Sequence, residues 1–159
     1  MKKILLILLI GTLPFSCKKE KVNIDDIKGT MDLKGLSLSQ LKAFLHGKWR
    51  WQYSVIHNFG GFKDTFRVKE LKDYLVFTSK DSVIQISGIT NNSVREKLVY
   101  EHVNIPGDAN GKMAYLLKFD DDGFGYRSKW IADRLVNDTL VFVNYFRTEG
   151  FNSYHFTRE

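Results

Sequence analysis

The strongest constraint on this chain is a change of hydrophobic period after Gly47. Trp49, Trp51, Tyr53 and Val55 alternate with Lys48, Arg50, Gln52 and Ser54. Alternate side chains of a strand point to opposite faces, so this stretch predicts a strand with one buried face. Comparable runs follow at 74–78, 82–88, 94–103, 112–119, 123–131, 138–146 and 151–158, with a weaker one at 65–69. Asn91-Asn92, Pro106-Gly107-Asp108, Asn110-Gly111, Asp121-Asp122-Gly123 and Glu149-Gly150 supply turn chemistry between them. Many short strands joined by tight turns imply an all-β, eight-stranded antiparallel barrel or sandwich in one domain. The one helical pattern precedes them. Leu38, Leu41, Phe44 and Leu45 recur at helical spacing behind the hydroxyls of Ser37 and Ser39 and stop at Gly47.

The N-terminus has a different logic. Met1-Lys2-Lys3 is followed by ten mostly apolar residues, Ile4 to Leu13, and then Pro14. A bilayer-spanning helix needs about twenty apolar residues. This stretch is half that length and has the layout of a cleaved secretory leader covering residues 1–16. Residues 17–36, polar with scattered Ile and Val, are expected to form a tether, and 37–159 the folded domain. The leader carries Lys2 and Lys3 and no acidic residue, so the formal charge falls from +6 to +4 on its removal. Lys and Arg are spread along the chain rather than blocked together, which with export argues against a nucleic-acid partner.

Leu13-Pro14-Phe15-Ser16-Cys17 places a small residue before the only cysteine in the sequence. It resembles a bacterial lipobox, and with Lys18-Lys19-Glu20-Lys21 it is similar to the relaxed lipoboxes of Bacteroidota lipoproteins. The resemblance implies cleavage between Ser16 and Cys17, lipidation of Cys17 and a durable membrane anchor, since several acyl chains hold far better than one. A lone cysteine has no internal disulfide partner. Lys18 after the cysteine implies the outer membrane of the cell envelope.

A short helix leading into Gly47-Lys48-Trp49 resembles the Gly-x-Trp signature of the first lipocalin strand. Trp51, Phe59-Gly60-Gly61-Phe62 and a final hairpin from Asp138-Thr139-Leu140-Val141 to Tyr154-His155-Phe156-Thr157-Arg158 extend the likeness to the small lipocalin-like lipoproteins of Bacteroidota. That resemblance implies an eight-stranded barrel with Arg158 opposite Trp49, closing last strand on first. The same register sets Phe156 opposite Trp51, Tyr154 opposite Tyr53 and His155 opposite Gln52, with His57 near Gly150 and apart from His155. Trp49 and Arg158 are therefore the closure residues.

Chemistry-bearing motifs are few. Asp120-Asp121-Asp122-Gly123 lacks the ligand spacing of a calcium loop and reads as a hairpin turn. His46, His57, His102 and His155 show no metal spacing. No Gly-rich loop opens a helix, and Ser54, Ser87 and Ser128 have no nucleophile elbow. A non-enzyme without metal or cofactor is expected. The aromatic excess remains: Tyr100, Tyr115, Phe119, Phe124, Tyr126 and Trp130 fill the interior or line a pocket. The ligand-binding expectation is a small, partly apolar molecule held by Tyr53, Tyr115, Tyr126 and Trp130 near Phe59 and Phe62. The alternative is a filled barrel acting as an accessory subunit of a surface complex.

Overall fold

A computed structural model describes residues 29–58, 63–66, 73–105, 108–119, 128–147 and 150–159. Cys17, Ser16, Phe59, Phe62 and Tyr126 lie outside them. The described elements are β1 (Thr30–Asp32), α1 (Leu38–Leu45), β2 (Gly47–Asn58), β3 (Lys63–Phe66), β4 (Tyr74–Phe77), β5 (Ser82–Ile86), β6 (Ser93–Asn104), β7 (Met113–Phe119), β8 (Ser128–Val136), β9 (Thr139–Arg147) and β10 (Gly150–Arg158).

The pairings form a ring. Going round it, β2 is followed by β4, β5, β6, β7, β8, β9 and β10, and β10 returns to β2. Every pairing is antiparallel, so the protein is a closed eight-stranded antiparallel barrel with one short helix. Two short strands extend the ring. β3 pairs with the far half of β2, Ser54–His57, beyond the stretch that pairs with β4. β1 pairs with Arg134–Val136 of β8. The boundaries expected from alternation hold within a few residues, except that β8 runs on to Val136 and turns through Asn137, whose φ is 45°.

The folded domain also begins earlier than residue 37. Leu33 is buried in the core, its backbone N–H donates to Asp133 O at 3.0 Å, and Lys34 pairs with the buried Asp133 carboxylate. Residues 30–36 are therefore a strand and a plugged turn rather than a tether. Their polarity is misleading because Lys34 is there to meet a buried charge.

α1 begins with a reciprocal cap. The Gln40 N–H donates to Ser37 Oγ at 3.3 Å, and the Ser37 N–H donates to Gln40 Oε1 at 2.9 Å. Such a cap is worth about 1 kcal/mol. Leu41, Phe44 and Leu45 form its buried face and join one core cluster with Trp49, Phe77, Val83, Leu98, Leu135 and Leu140. The helix thus plugs the barrel end where β2 starts. Trp49 is fully buried there and its Nε1–H donates to Leu45 O at 2.8 Å.

Closure occurs between β10 and β2, with Arg158 opposite Trp49 and Phe156 opposite Trp51. The Arg158 guanidinium carbon stands 5.5 Å from the Trp49 ring centre, and Nη2 donates to His46 O at 2.9 Å. Beyond Trp51 the expected register fails. Tyr53 pairs with His155 and Ser54 with Tyr154, because the register shifts between His155 and Phe156 and leaves Gln52 as the extra residue of a bulge. The aromatic ladder consequently stops after two rungs.

Candidate functional site

The bulge decides which side chains enter the barrel. Phe156 and Tyr154 both face inward, so His155 between them faces outward, and Tyr53 stacks on it at 4.1 Å between ring centres. Tyr53 is on the outer wall and is not a cavity residue, contrary to the expectation from simple alternation. Trp51 and Ser54, three apart, now point the same way, and the Trp51 Nε1–H donates to Ser54 Oγ at 3.0 Å.

Above the core plugged by α1, the interior opens into a cavity of about 670 Å³. Trp51, Trp130, Tyr154 and Phe156 form its aromatic side. Trp130 is the hub: it stacks on Tyr154 at 4.7 Å and meets Phe119 edge-on at 5.2 Å and Phe142 at 5.3 Å. A ring locked between three others is a rigid wall. Of the residues expected to bind a ligand, Trp130 alone among the described ones lines this space. Tyr115 packs against the core cluster and stacks on His102 at 4.7 Å, outside the lining.

The opposite side of the cavity is polar. Gln85 and Glu96 come from neighbouring β5 and β6, and the Gln85 Nε2–H donates to Glu96 Oε1 at 3.1 Å. Glu96 is only 6% exposed. It shares its face of β6 with Leu98 and Val94, so a charged residue occupies an inward position. Asp73 lines the wall as well and accepts from the Gly88 N–H at 2.8 Å, pinning the β5–β6 turn. That turn carries Thr90 and Asn92 to the rim at the end away from α1. Ile89 at the turn is 71% exposed and Val94 beside it 55%, giving the mouth an apolar margin.

Glu96, Gln85, Ser54 and Asp73 were not expected from the sequence. The usable signal is Glu96, an acid at the apolar phase of an alternating strand. Trp51, Tyr154 and Phe156 belong to the expected closure ladder, and they line the cavity because the bulge turns Tyr53 out and leaves space beside them.

Compared with protein-family models, with curated proteins and with solved structures, the chain matches none. The cavity geometry therefore carries the functional argument.

A second cluster lies on the outer wall. The Ser153 hydroxyl sits between two imidazoles, 3.1 Å from His155 Nε2 and 3.3 Å from His57 Nε2. The histidines, expected to be separated, are joined through that hydroxyl, because the bulge moves His155 one residue along β2. Burial, with Arg134 and His57 nearby, pushes His155 down to about 4. Burial, with Lys63 and Arg134, also lowers His57. The lowered values favour neutral rings at neutral pH, and which partner donates in each contact with the Ser153 hydroxyl follows from the tautomer of each imidazole. No group of three or more His, Cys, Asp or Glu suited to a metal ion is found among the described residues.

Proposed function

We propose that this protein is a lipid-anchored envelope lipoprotein of lipocalin-like form whose barrel binds a small, partly apolar molecule. The observation that carries the reading is the aromatic cavity: about 670 Å³, within the range of roughly 300–1,000 Å³ typical of small-molecule sites. Its composition supports the same reading. Rigid rings on one side supply apolar contact area, and Gln85 and Glu96 on the other, with Ser54 beside Trp51, supply the few polar groups that orient a ligand. The apolar margin at Ile89 and Val94 suits the passage of an apolar body into the barrel. Lipidation at Cys17, in an outer-membrane setting, supplies the anchor; this part of the proposal rests on the lipobox resemblance.

Two measurements test the parts separately. Protein purified under mild conditions is extracted with denaturing solvent and the extract examined by mass spectrometry, while a panel of apolar and aromatic probes is titrated against tryptophan emission. A stoichiometric passenger, or saturable quenching that Trp130→Leu weakens at least tenfold, supports the binding reading. An empty extract with no probe affecting the emission rejects it in favour of an interaction module. For the anchor, growth with an alkyne fatty acid labels the wild-type protein and not Cys17→Ala; equal labelling of both, or of neither, rejects lipidation at Cys17.

A further inference from the structure

Two hydroxyls on the aromatic side of the cavity are set in the same sense, which narrows the ligand class; the argument rests on the binding reading above. Ser54 and Tyr154 are cross-strand partners on β2 and β10, and both line the cavity. Each oxygen accepts a hydrogen bond from a group that can only donate. The Trp51 indole Nε1–H donates to Ser54 Oγ at 3.0 Å, and the Asn152 amide Nδ2–H donates to Tyr154 Oη at 3.4 Å. A hydroxyl has one proton and two lone pairs, so a bond it accepts occupies a lone pair and leaves the proton to be given elsewhere. These two bonds therefore fix Ser54 and Tyr154 as donors toward the space they line. Their positions are held as well. Asn152 is buried, and the Tyr154 ring is stacked on Trp130 at 4.7 Å between ring centres. A donor held in a mostly apolar pocket favours a ligand that brings the missing acceptor over one that leaves it unmet.

We propose that the barrel selects a neutral carbonyl compound, a ketone or ester on a flat apolar body. The carbonyl oxygen carries two lone pairs and no proton; it accepts from Ser54 Oγ–H, with Tyr154 Oη–H as the second donor on the same wall. The body lies against Trp130 and Phe156. Ser54 is on this reading a specificity residue, since its hydroxyl joins the ligand's oxygen to the Trp51 indole in one chain of hydrogen bonds.

The test uses two probes of one shape: 2-acetylnaphthalene, and 2-isopropenylnaphthalene, in which a CH₂ group replaces the carbonyl oxygen. Each is titrated into the purified protein, with affinity and location read from the indole N–H resonances of Trp51 and Trp130. Ser54→Ala is expected to weaken the ketone at least fivefold more than the alkene, the alkene reporting any change in the shape of the wall. Ser54→Thr, which restores a hydroxyl, should recover most of the ketone's affinity, and Tyr154→Phe should give a smaller loss confined to the ketone. With the carbonyl carbon labelled with ¹³C, the resonance of the bound ketone should lie downfield of its position in hexane and move toward that position in Ser54→Ala. If both probes respond equally to Ser54→Ala and the bound carbonyl resonates as in hexane, the cavity reading stands and the carbonyl inference is overturned. If neither probe shifts either indole, the cavity reading itself fails and takes this inference with it. Tyr154→Phe and the wild-type carbonyl resonance keep the test decisive should Ser54→Ala not fold.

Discussion

Removing the Arg158 side chain tests how the barrel is closed. Its guanidinium lies 5.5 Å from the Trp49 ring centre, donates to His46 O at 2.9 Å, and approaches within 3.4 Å of the point where a Cβ on Gly47 would stand. One residue thus ties the last strand, the start of β2 and the C-terminal end of α1 together. The cation–π contact at an exposed site is worth about 0.5–1 kcal/mol. A charge-assisted hydrogen bond adds about 1.5 kcal/mol at this partly solvated position, the low end of its range. Arg158→Ala is therefore expected to cost about 2 kcal/mol, and Arg158→Lys about half of that, because lysine keeps the charge but not the flat, forked group. For a domain of this size the alanine variant should melt roughly 6–12 °C lower, read by far-UV circular dichroism and by urea titration. Gly47→Ala supplies the cross-check. Its φ of +125° is unfavourable for any side chain, while the added methyl would stand in ordinary van der Waals contact with the guanidinium. In the double variant the two costs should be close to additive, since the Gly47→Ala cost is backbone strain that removing the Arg158 side chain does not relieve. Arg158→Ala within about 0.5 kcal/mol of wild type, the ordinary spread for surface substitutions, would refute the closure argument.

Acid should weaken the fold through His155. Its folded-state value of about 4 lies below the ordinary 6.5, so between those pH values the unfolded chain binds a proton that the folded protein refuses. The stability is complete above pH 6.5 and is lost as pH falls toward 4. The full shift corresponds to about 3 kcal/mol, reduced to about 1–2 kcal/mol by screening of a half-exposed ring. Urea titrations across this range should show that slope in the wild type and a flatter one in His155→Gln; parallel slopes would contradict the assignment. Lys34→Met leaves the buried Asp133 carboxylate with only Arg134, at 3.2 Å, as its cationic partner among the described ion pairs. Breaking a buried pair costs about 3–5 kcal/mol, and the remaining arginine should hold the loss to about 2 kcal/mol; an unchanged urea midpoint would show Lys34 to be a surface residue. A chain starting at residue 37 loses β1, Leu33 and Lys34 together, and should give a clearly lower melting temperature than one starting at residue 29; equal melting would return residues 30–36 to the tether.

The barrel was legible because strand alternation is a local property. Lys48 to Trp51 declares its buried face without reference to any other part of the chain, and Asn110-Gly111 declares a turn; Gly111 has φ +65°. The pairing of Arg158 with Trp49 came instead from the lipocalin resemblance of Gly47-Lys48-Trp49, and it holds at the shared end of the two strands, where the register is unbroken. The cavity was less legible because it depends on relations between strands. Trp130 reads as an inward aromatic from its own strand, but Tyr53 reads the same way and faces out. β1 was missed because three residues beside Lys34 have no period to detect, and their pairing with Arg134–Val136 is a contact across a hundred residues of sequence.

Gln52 explains both the error at Tyr53 and the existence of the cavity. In an unbroken strand, Trp51, Tyr53 and Val55 would all point inward, and three large side chains would fill the upper half of the barrel as Trp49 and α1 fill the lower half. Insertion of one residue shifts the phase. Tyr53 swings out to stack on His155, and the small Ser54 takes the inward place, where its hydroxyl receives the Trp51 indole. The bulge is held from outside, since Gln52 Nε2 donates to Thr157 Oγ1 on β10 at 2.7 Å. Replacing a tyrosine by a serine at the wall removes most of a ring's volume from the interior. It also places a hydroxyl beside Trp51, in the half of the barrel that Glu96 and Gln85 enter from the opposite wall. The two halves of the interior thus differ in kind. One is a packed apolar plug that stabilises the fold. The other exchanges that packing for space and polar groups, and such an exchange costs stability unless something occupies the space.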